Sequence, residues 1–331
     1  MNRPSIHIVG AGAFGSALAH VWLQGGSRVK LWCRDPAQAE TLARTGRNPK
    51  VPDCPTLKGI EAGPLSALDL RTAENHDSAV VVLAVKARAQ KAVFADLKAR
   101  LHDACPVITA SKGFADPGGH LLSEALKPEK GLGVLSGPSF AADLFANRPT
   151  ALTLATAGDL SPLVADLSTP LLRLYHSDDP QGVQVCGALK NVIAIACGCA
   201  DGMDLGASAR SALMTRGLRE IERVIEAYQG QTRTAAGLAG FGDLALTCQD
   251  SQSRNHHFGF QIGQGRRAAE ILAEGKTVEG ALAALSVKDG PRTANLDLPI
   301  SHAVAELVED QISPENLLSR LLARSYTSDV G

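Results

Sequence analysis

The sequence has no Cys-x-x-C pair and no even set of cysteines. Its seven cysteines, at positions 33, 54, 105, 186, 197, 199 and 248, are scattered, which argues against a disulfide frame or a zinc site and fits reduced thiols in a cytoplasmic protein. Charge of one sign is not in excess either. Thirty-three Lys and Arg face 34 Asp and Glu, for a formal net charge of -1, so nothing in the balance recruits nucleic acid or an anionic membrane. An anionic small substrate needs only a few local cations. Long apolar runs are missing as well. The segment 6–9 is too short for a signal-peptide core and leads straight into a glycine loop. The most apolar later stretch, 183–200, is interrupted by Gln184, Lys190 and Asn191, and reads as a buried helix with no stable membrane association. No internal repeat or low-complexity tract is present. His256 and His257 are adjacent, but no acidic or cysteine partner lies at metal spacing, so no metal site is expected.

What is present is ordinary globular material: 45% hydrophobic and 20% charged residues over a chain of 331. That length exceeds what one core usually supports and suggests two domains. The first half alternates short Val-, Ile-, Leu- and Thr-rich runs (5–10, 28–33, 79–85, 106–111, 132–136 and 151–155) with helical patterns (13–24, 36–43 and 87–101). Continuous apolar runs of strand length suit a parallel sheet covered on both faces, and the alternation predicts a doubly wound α/β Rossmann-like domain. Near Tyr175 the pattern changes. The segment His176-Ser-Asp-Asp-Pro180 is polar and reads as a linker, and from Gly182 onward the long segments (183–199, 208–228, about 258–274 and 300–308) read as helix. The expected organisation is a dinucleotide-binding domain over 1–180 and an all-α domain over 181–331.

Gly10-Ala11-Gly12-Ala13-Phe14-Gly15 follows a strand and opens a helix. In such a G-x-G-x-x-G the first glycine permits a tight turn. The second lets backbone N–H groups approach a pyrophosphate, and the third allows close helix packing. The unpaired N–H groups of the helix start then favour the anion. The second strand ends in Leu31-Trp32-Cys33-Arg34-Asp35-Pro36. If Cys33 takes the usual place of the ribose-binding acid, Arg34 can pair a 2′-phosphate and NADP is favoured. If the strand runs longer, Asp35 becomes the ribose acid and favours NAD. NADPH is the expectation, with NAD left open.

Charged residues in apolar surroundings mark the chemistry. Lys190 lies in a helical stretch that is apolar on most sides. It must snorkel, pair, or accept a lowered pKa, and a lysine tuned towards neutrality is a good general acid for a carbonyl oxygen. Lys112 follows a strand, where ligands of open α/β sheets bind. Ser136-Gly137-Pro138-Ser139 follows another. Gly240-Phe-Gly242-Asp243 carries a carboxylate that could hold a lysine or a hydroxyl, and Ser253-Arg254-Asn255 offers donors and a fork-shaped cation suited to phosphate. Each of these also has an ordinary reading as a loop lysine, a helix cap or a polar turn.

In sequence order, the glycine loop, Ser111-Lys112-Gly113, Ser136-Gly-Pro-Ser-Phe-Ala141, the Lys190-Asn-Val-Ile-Ala-Ile helix, Gly240-Phe-Gly-Asp-Leu-Ala-Leu-Thr-Cys248 and Gln252-Ser-Arg-Asn255 resemble the bacterial NAD(P)-dependent glycerol-3-phosphate dehydrogenases from Gly10 to about Glu279. The resemblance implies a Rossmann-like domain joined to an α-helical domain, a homodimer, and a place at the head of phospholipid synthesis. Lys190 matches the family's proton donor. Lys112, Gly137, Ser139, Asp243, Ser253, Arg254 and Asn255 match its contacts to dihydroxyacetone phosphate or glycerol 3-phosphate. Its cofactor contacts match the loop around Ala13 and Phe14, Arg34, Lys112, Ala141, Arg254 and the Thr277-Val278-Glu279 segment. Two departures stand out: the stretch after Glu279 lacks the expected Thr-Ala helix start, and His256-His257 replaces the usual arginines. Two other readings compete: a two-domain hydroxy-acid or keto-acid dehydrogenase, which lacks the Asp243 and Arg254 motifs, and a cofactor sensor without turnover, which has no need of Lys190.

Overall fold

In the computed structural model, residues 4–71, 79–156, 160–275 and 277–317 are described. Eight strands form one sheet: β1 (Ser5–Val9), β2 (Val29–Cys33), β3 (Glu61–Pro64), β4 (Ala79–Leu83), β5 (Val107–Thr109), β6 (Leu132–Ser136), β7 (Thr150–Ala155) and β8 (Leu172–Ser177). Their spatial order is β3-β2-β1-β4-β5-β6-β7-β8. All neighbours are parallel except β6 and β7. The order reverses at β1, where β2 leaves on one side and β4 on the other, and such a switch point opens a crevice at the carboxyl ends of the strands.

The sheet is buried on both faces because side chains alternate within continuously apolar strands. Val80 and Val82 of β4 join Ile6, Ile8 and Leu31 in one core, while Val81 and Leu83 join Val9 and Val107 in the core on the other face. The helices Ala13–Gln24 and Ala87–Lys98 follow β1 and β4 as expected. β3 and β8 were not anticipated. Glu-Ala-Gly-Pro has no β-branched residue to announce a strand. β8 alternates buried Leu172 and Leu174 with exposed Arg173 and Tyr175, as a strand at a sheet edge does. The expected linker is therefore mostly structure. His176 and Ser177 end β8, and Asp179 caps the next helix by accepting from Gly182 N at 2.9 Å.

Among the described residues, everything regular after β8 is helical. The helix Pro180–Gly202 is the axis of a second core, and among the described residues it is the one helix long and apolar enough to cross a membrane. Its most apolar window is entirely buried inside the protein. The neighbouring helix Arg254–Gly263 crosses it at backbone contact. A methyl placed on Gly198 would lie 2.0 Å from His256 O, and one on Gly259 would lie 2.0 Å from Ile195 O. Gly202 and Gly263 are equally tight, at 2.3 and 2.2 Å from facing carbonyls. The stretch expected as one helix over 258–274 is two, Arg254–Gly263 and Ala268–Ala273, parted at Gly265 with φ of 92°. The divergent segment after Glu279 still forms a helix, Glu279–Asp289, whose start is tied down by Gly280 N donating to Asn255 Oδ1 at 2.9 Å.

Candidate active site

The two cores meet where β5 and β6 end against the middle of the Pro180–Gly202 helix. Lys112 leaves β5, and its Nζ donates to Asp243 Oδ2 at 2.6 Å and to Gly137 O at 2.9 Å. Gly137 can present that carbonyl because it sits just past β6 with φ of 141°, a conformation that excludes side chains. Lys190 Nζ bonds the other oxygen of the same carboxylate, Asp243 Oδ1, and donates to Thr247 Oγ1 at 2.8 Å. Asp243 is 1% exposed and Lys190 6%. Burial holds the Lys190 ammonium well below an ordinary lysine's pKa; Asp243 opposes this, and the nearby Lys112 charge adds to it. Two cations on one buried anion leave a net positive cluster able to release one proton.

Thr247 was not singled out as a site residue, although the signal was there. It lies four residues beyond Asp243 in the helix Asp243–Gln249 and so shares its face. Ser139, in the loop after β6, has a buried Oγ with no hydrogen-bond partner among the described residues, and so does Ser136.

One helical crossing away, Ser253 caps the Arg254–Gly263 helix through His256 N at 3.3 Å. Arg254 is exposed in the first turn, which contains no acid. A cation at that positive end is disfavoured by the macrodipole unless an anion joins it. The Asn255 side chain is engaged: Nδ2 donates to Asn191 Oδ1 at 2.9 Å while Oδ1 holds Gly280 N. What Asn255 can still offer at the helix start is its backbone N–H. His256, one of the departures noted above, pairs with Asp201 at 2.8 Å.

The glycine loop lies at the switch point. A methyl on Gly15 would strike Gly10 O at 2.1 Å, and one on Gly10 would strike Val85 Cγ1 at 2.8 Å, so both glycines are required by packing. Gly12 differs. A methyl there meets nothing within 4 Å, and Gly12 and Ala13 are exposed, with Phe14 half-buried. The helix start has neither a side-chain cap nor an acid in its first turn. Open space in front of uncapped N–H groups fits a pyrophosphate. At β2, the strand ends at Cys33 and Asp35 caps the next helix through Ala37 N while pairing with Lys50 at 2.7 Å. Asp35 is thus engaged at both carboxylate oxygens, and exposed Arg34 stands at the strand end. Ala141 begins the short helix after β6. Val278 is buried at the start of the Glu279–Asp289 helix. Glu279, half-buried beside Gly113, has its carboxyl pushed up by burial against the pull of Arg254, Lys86 and Arg88. Among the described residues no cluster could hold a metal ion.

A doubly wound sheet with a dinucleotide loop, closed by a helical domain whose buried Lys190 and Asp243 form a lysine–aspartate–lysine cluster with Lys112, defines a nicotinamide-dependent dehydrogenase. Family models described as the N-terminus and C-terminus of NAD-dependent glycerol-3-phosphate dehydrogenase match residues 5–159 and 179–319. Glycerol-3-phosphate dehydrogenases [NAD(P)+] of Methylobacterium radiotolerans and Gluconobacter oxydans are each 40% identical, over 96% and 99% of this chain and the same shares of their own. The crystal structure of glycerol-3-phosphate dehydrogenase from Coxiella burnetii superposes with a TM-score of 0.87 at 33% identity, covering 98% of this chain and all of that one. The chain belongs to the NAD-dependent glycerol-3-phosphate dehydrogenase family and is an oxidoreductase.

Proposed function

We propose that the protein reduces dihydroxyacetone phosphate to sn-glycerol 3-phosphate with NAD(P)H, in a cleft between an α/β domain of residues 1–180 and a helical domain of residues 181–331. The observation that carries this reading is the sharing of Asp243 by Lys112 and Lys190. Its excess positive charge, buried and fixed in advance, suits a carbonyl oxygen gaining negative charge. The reduced nicotinamide supplies the hydride. Lys190 gives the oxygen its proton, and Asp243 and Thr247 hold Nζ in place for that transfer. Lys112 orients and polarises the same end of the substrate. Arg254 and the first-turn N–H groups of 254 and 255 take the phosphate, with Ser253 fixing the helix start and Ser139 Oγ and Gly137 lining the approach. Gly10, Gly12, Ala13, Phe14 and Gly15 would hold the pyrophosphate, while Ala141, Val278 and Glu279 would border the dinucleotide nearer the cleft.

Arg34, with Asp35 engaged elsewhere, supports a preference for NADPH. Seven unbridged cysteines support a reducing cytoplasm. A homodimer feeding glycerophospholipid synthesis rests on family resemblance alone. Incubating the protein with NADPH and dihydroxyacetone phosphate, and following nicotinamide absorbance, tests the reading. Cofactor oxidation with stoichiometric glycerol 3-phosphate supports it, and an unchanged absorbance refutes it.

A further inference from the structure

We propose that Lys86 is a further cofactor-binding residue, its ammonium meeting the pyrophosphate from the β4 side of the glycine loop. The chain leaving β4 runs directly against that loop: Ala84 N donates to Val9 O at 2.9 Å, and Val85 is the side chain that a methyl on Gly10 would strike. Lys86 is the next residue. It is exposed, stands at the start of the Ala87–Lys98 helix, and makes no cap there. Both that helix start and the ammonium therefore lie on the carboxyl edge of the sheet, one strand from the Gly12 opening.

The partner that Lys86 has is a weak one. Nζ bonds Thr277 Oγ1 across the cleft, a neutral hydroxyl that uses one of three donors. Holding the two halves together falls to its neighbour instead: Arg88 reaches Leu282 O at 3.1 Å and Ser286 Oγ at 3.2 Å. Around Glu279, positive charge also exceeds negative among the described residues. Lys86, Arg88 and Arg254 all act on the single carboxylate of Glu279. An anionic diphosphate entering at the Gly12 opening supplies the missing negative charge.

The proposal rests on the dinucleotide lying along the glycine loop, so the test contains a control for that reading. Dissociation constants for NADPH and NADH would be measured by fluorescence or calorimetry in wild type, Lys86→Met, Lys86→Arg and Gly12→Val. Lys86→Met should weaken both cofactors about tenfold and equally, the scale of one charge-assisted hydrogen bond. Lys86→Arg should restore most of the loss. Unchanged affinity in Lys86→Met, or no recovery in Lys86→Arg, overturns the assignment while Gly12→Val still binds poorly. Full affinity in Gly12→Val would overturn the loop reading itself, and this proposal with it.

Discussion

Lys190 announces itself in the sequence because an ammonium in an apolar helix has few tolerable fates. The structure takes two of them at once: the side chain pairs with Asp243, and its pKa is still lowered by burial. Desolvation outweighs the attraction to Asp243, and the nearby Lys112 charge lowers the pKa further. Lys190→Met should therefore keep cofactor affinity and lower turnover by roughly a hundredfold or more, the usual scale for a general acid. Reduction by wild type should fall as pH rises through a pKa below the 10.5 of an ordinary lysine, since the acid must carry its proton. Retained turnover in Lys190→Met would remove it from the chemistry. Arg34 was ambiguous for the opposite reason: the end of β2 decided between it and Asp35, and strand ends are poorly marked in sequence. With Asp35 capping a helix, Arg34→Ala should weaken NADPH by several-fold more than NADH, on the order of one charge-assisted contact. Equal losses for both cofactors would return Arg34 to the solvent.

At the level of elements, the periodic and punctuated segments were legible. The strand, glycine loop and helix over residues 5–24 agree at three levels at once: apolar run, turn chemistry and helical period. β3 and β8 were not legible, one for want of β-branched residues and one because its alternation at a sheet edge resembles a polar linker. Glu220 was invisible for another reason. It lies in an amphipathic helix that looks solvated, yet it is 1% exposed and accepts from Ile300 N and Ser301 N at the start of another helix. The Gly198/Gly202 and Gly259/Gly263 crossing also escaped notice, since small residues spaced by four carry no strong signal in a chain with 32 glycines. It matters for the site because it sets Asn255, the residue after Arg254, against Asn191, next to Lys190. Gly259→Ala should lower stability by about 1–3 kcal/mol, as overpacking a tight contact does. A urea midpoint tests this, and an unchanged midpoint would mean the helices can part without cost.

For the whole molecule, the chemistry is divided between the halves. The α/β half brings the glycine loop, Arg34 and Lys112; the helical half brings Lys190, Asp243 and Arg254. Neither half alone has both the cation proposed for phosphate, Arg254, and the dinucleotide loop. The bonds from Lys112 to Asp243 and from Arg88 to the Glu279–Asp289 helix show the halves in register. The order of motifs along the chain made this division readable, while the juxtaposition of distant residues needed the fold: 53 residues separate Lys190 from Asp243, and 131 separate Lys112 from it.

This divided site reads a phosphorylated ketone, and the specificity constant for dihydroxyacetone phosphate against dihydroxyacetone measures how strongly it does so. A hydrogen bond from the Arg254 guanidinium to phosphate contributes about 1.5–3 kcal/mol, and the first-turn N–H groups at 254 and 255 add to it. Binding energy from that remote group also supports orientation at the carbonyl, so its loss reaches turnover. The expected ratio is at least about a thousandfold. Arg254→Ala should remove most of that ratio by harming the phosphorylated substrate alone, with cofactor affinity measured in the same variant because the family resemblance also sets Arg254 beside the cofactor. Equal specificity constants for the two ketones in wild type would contradict the account.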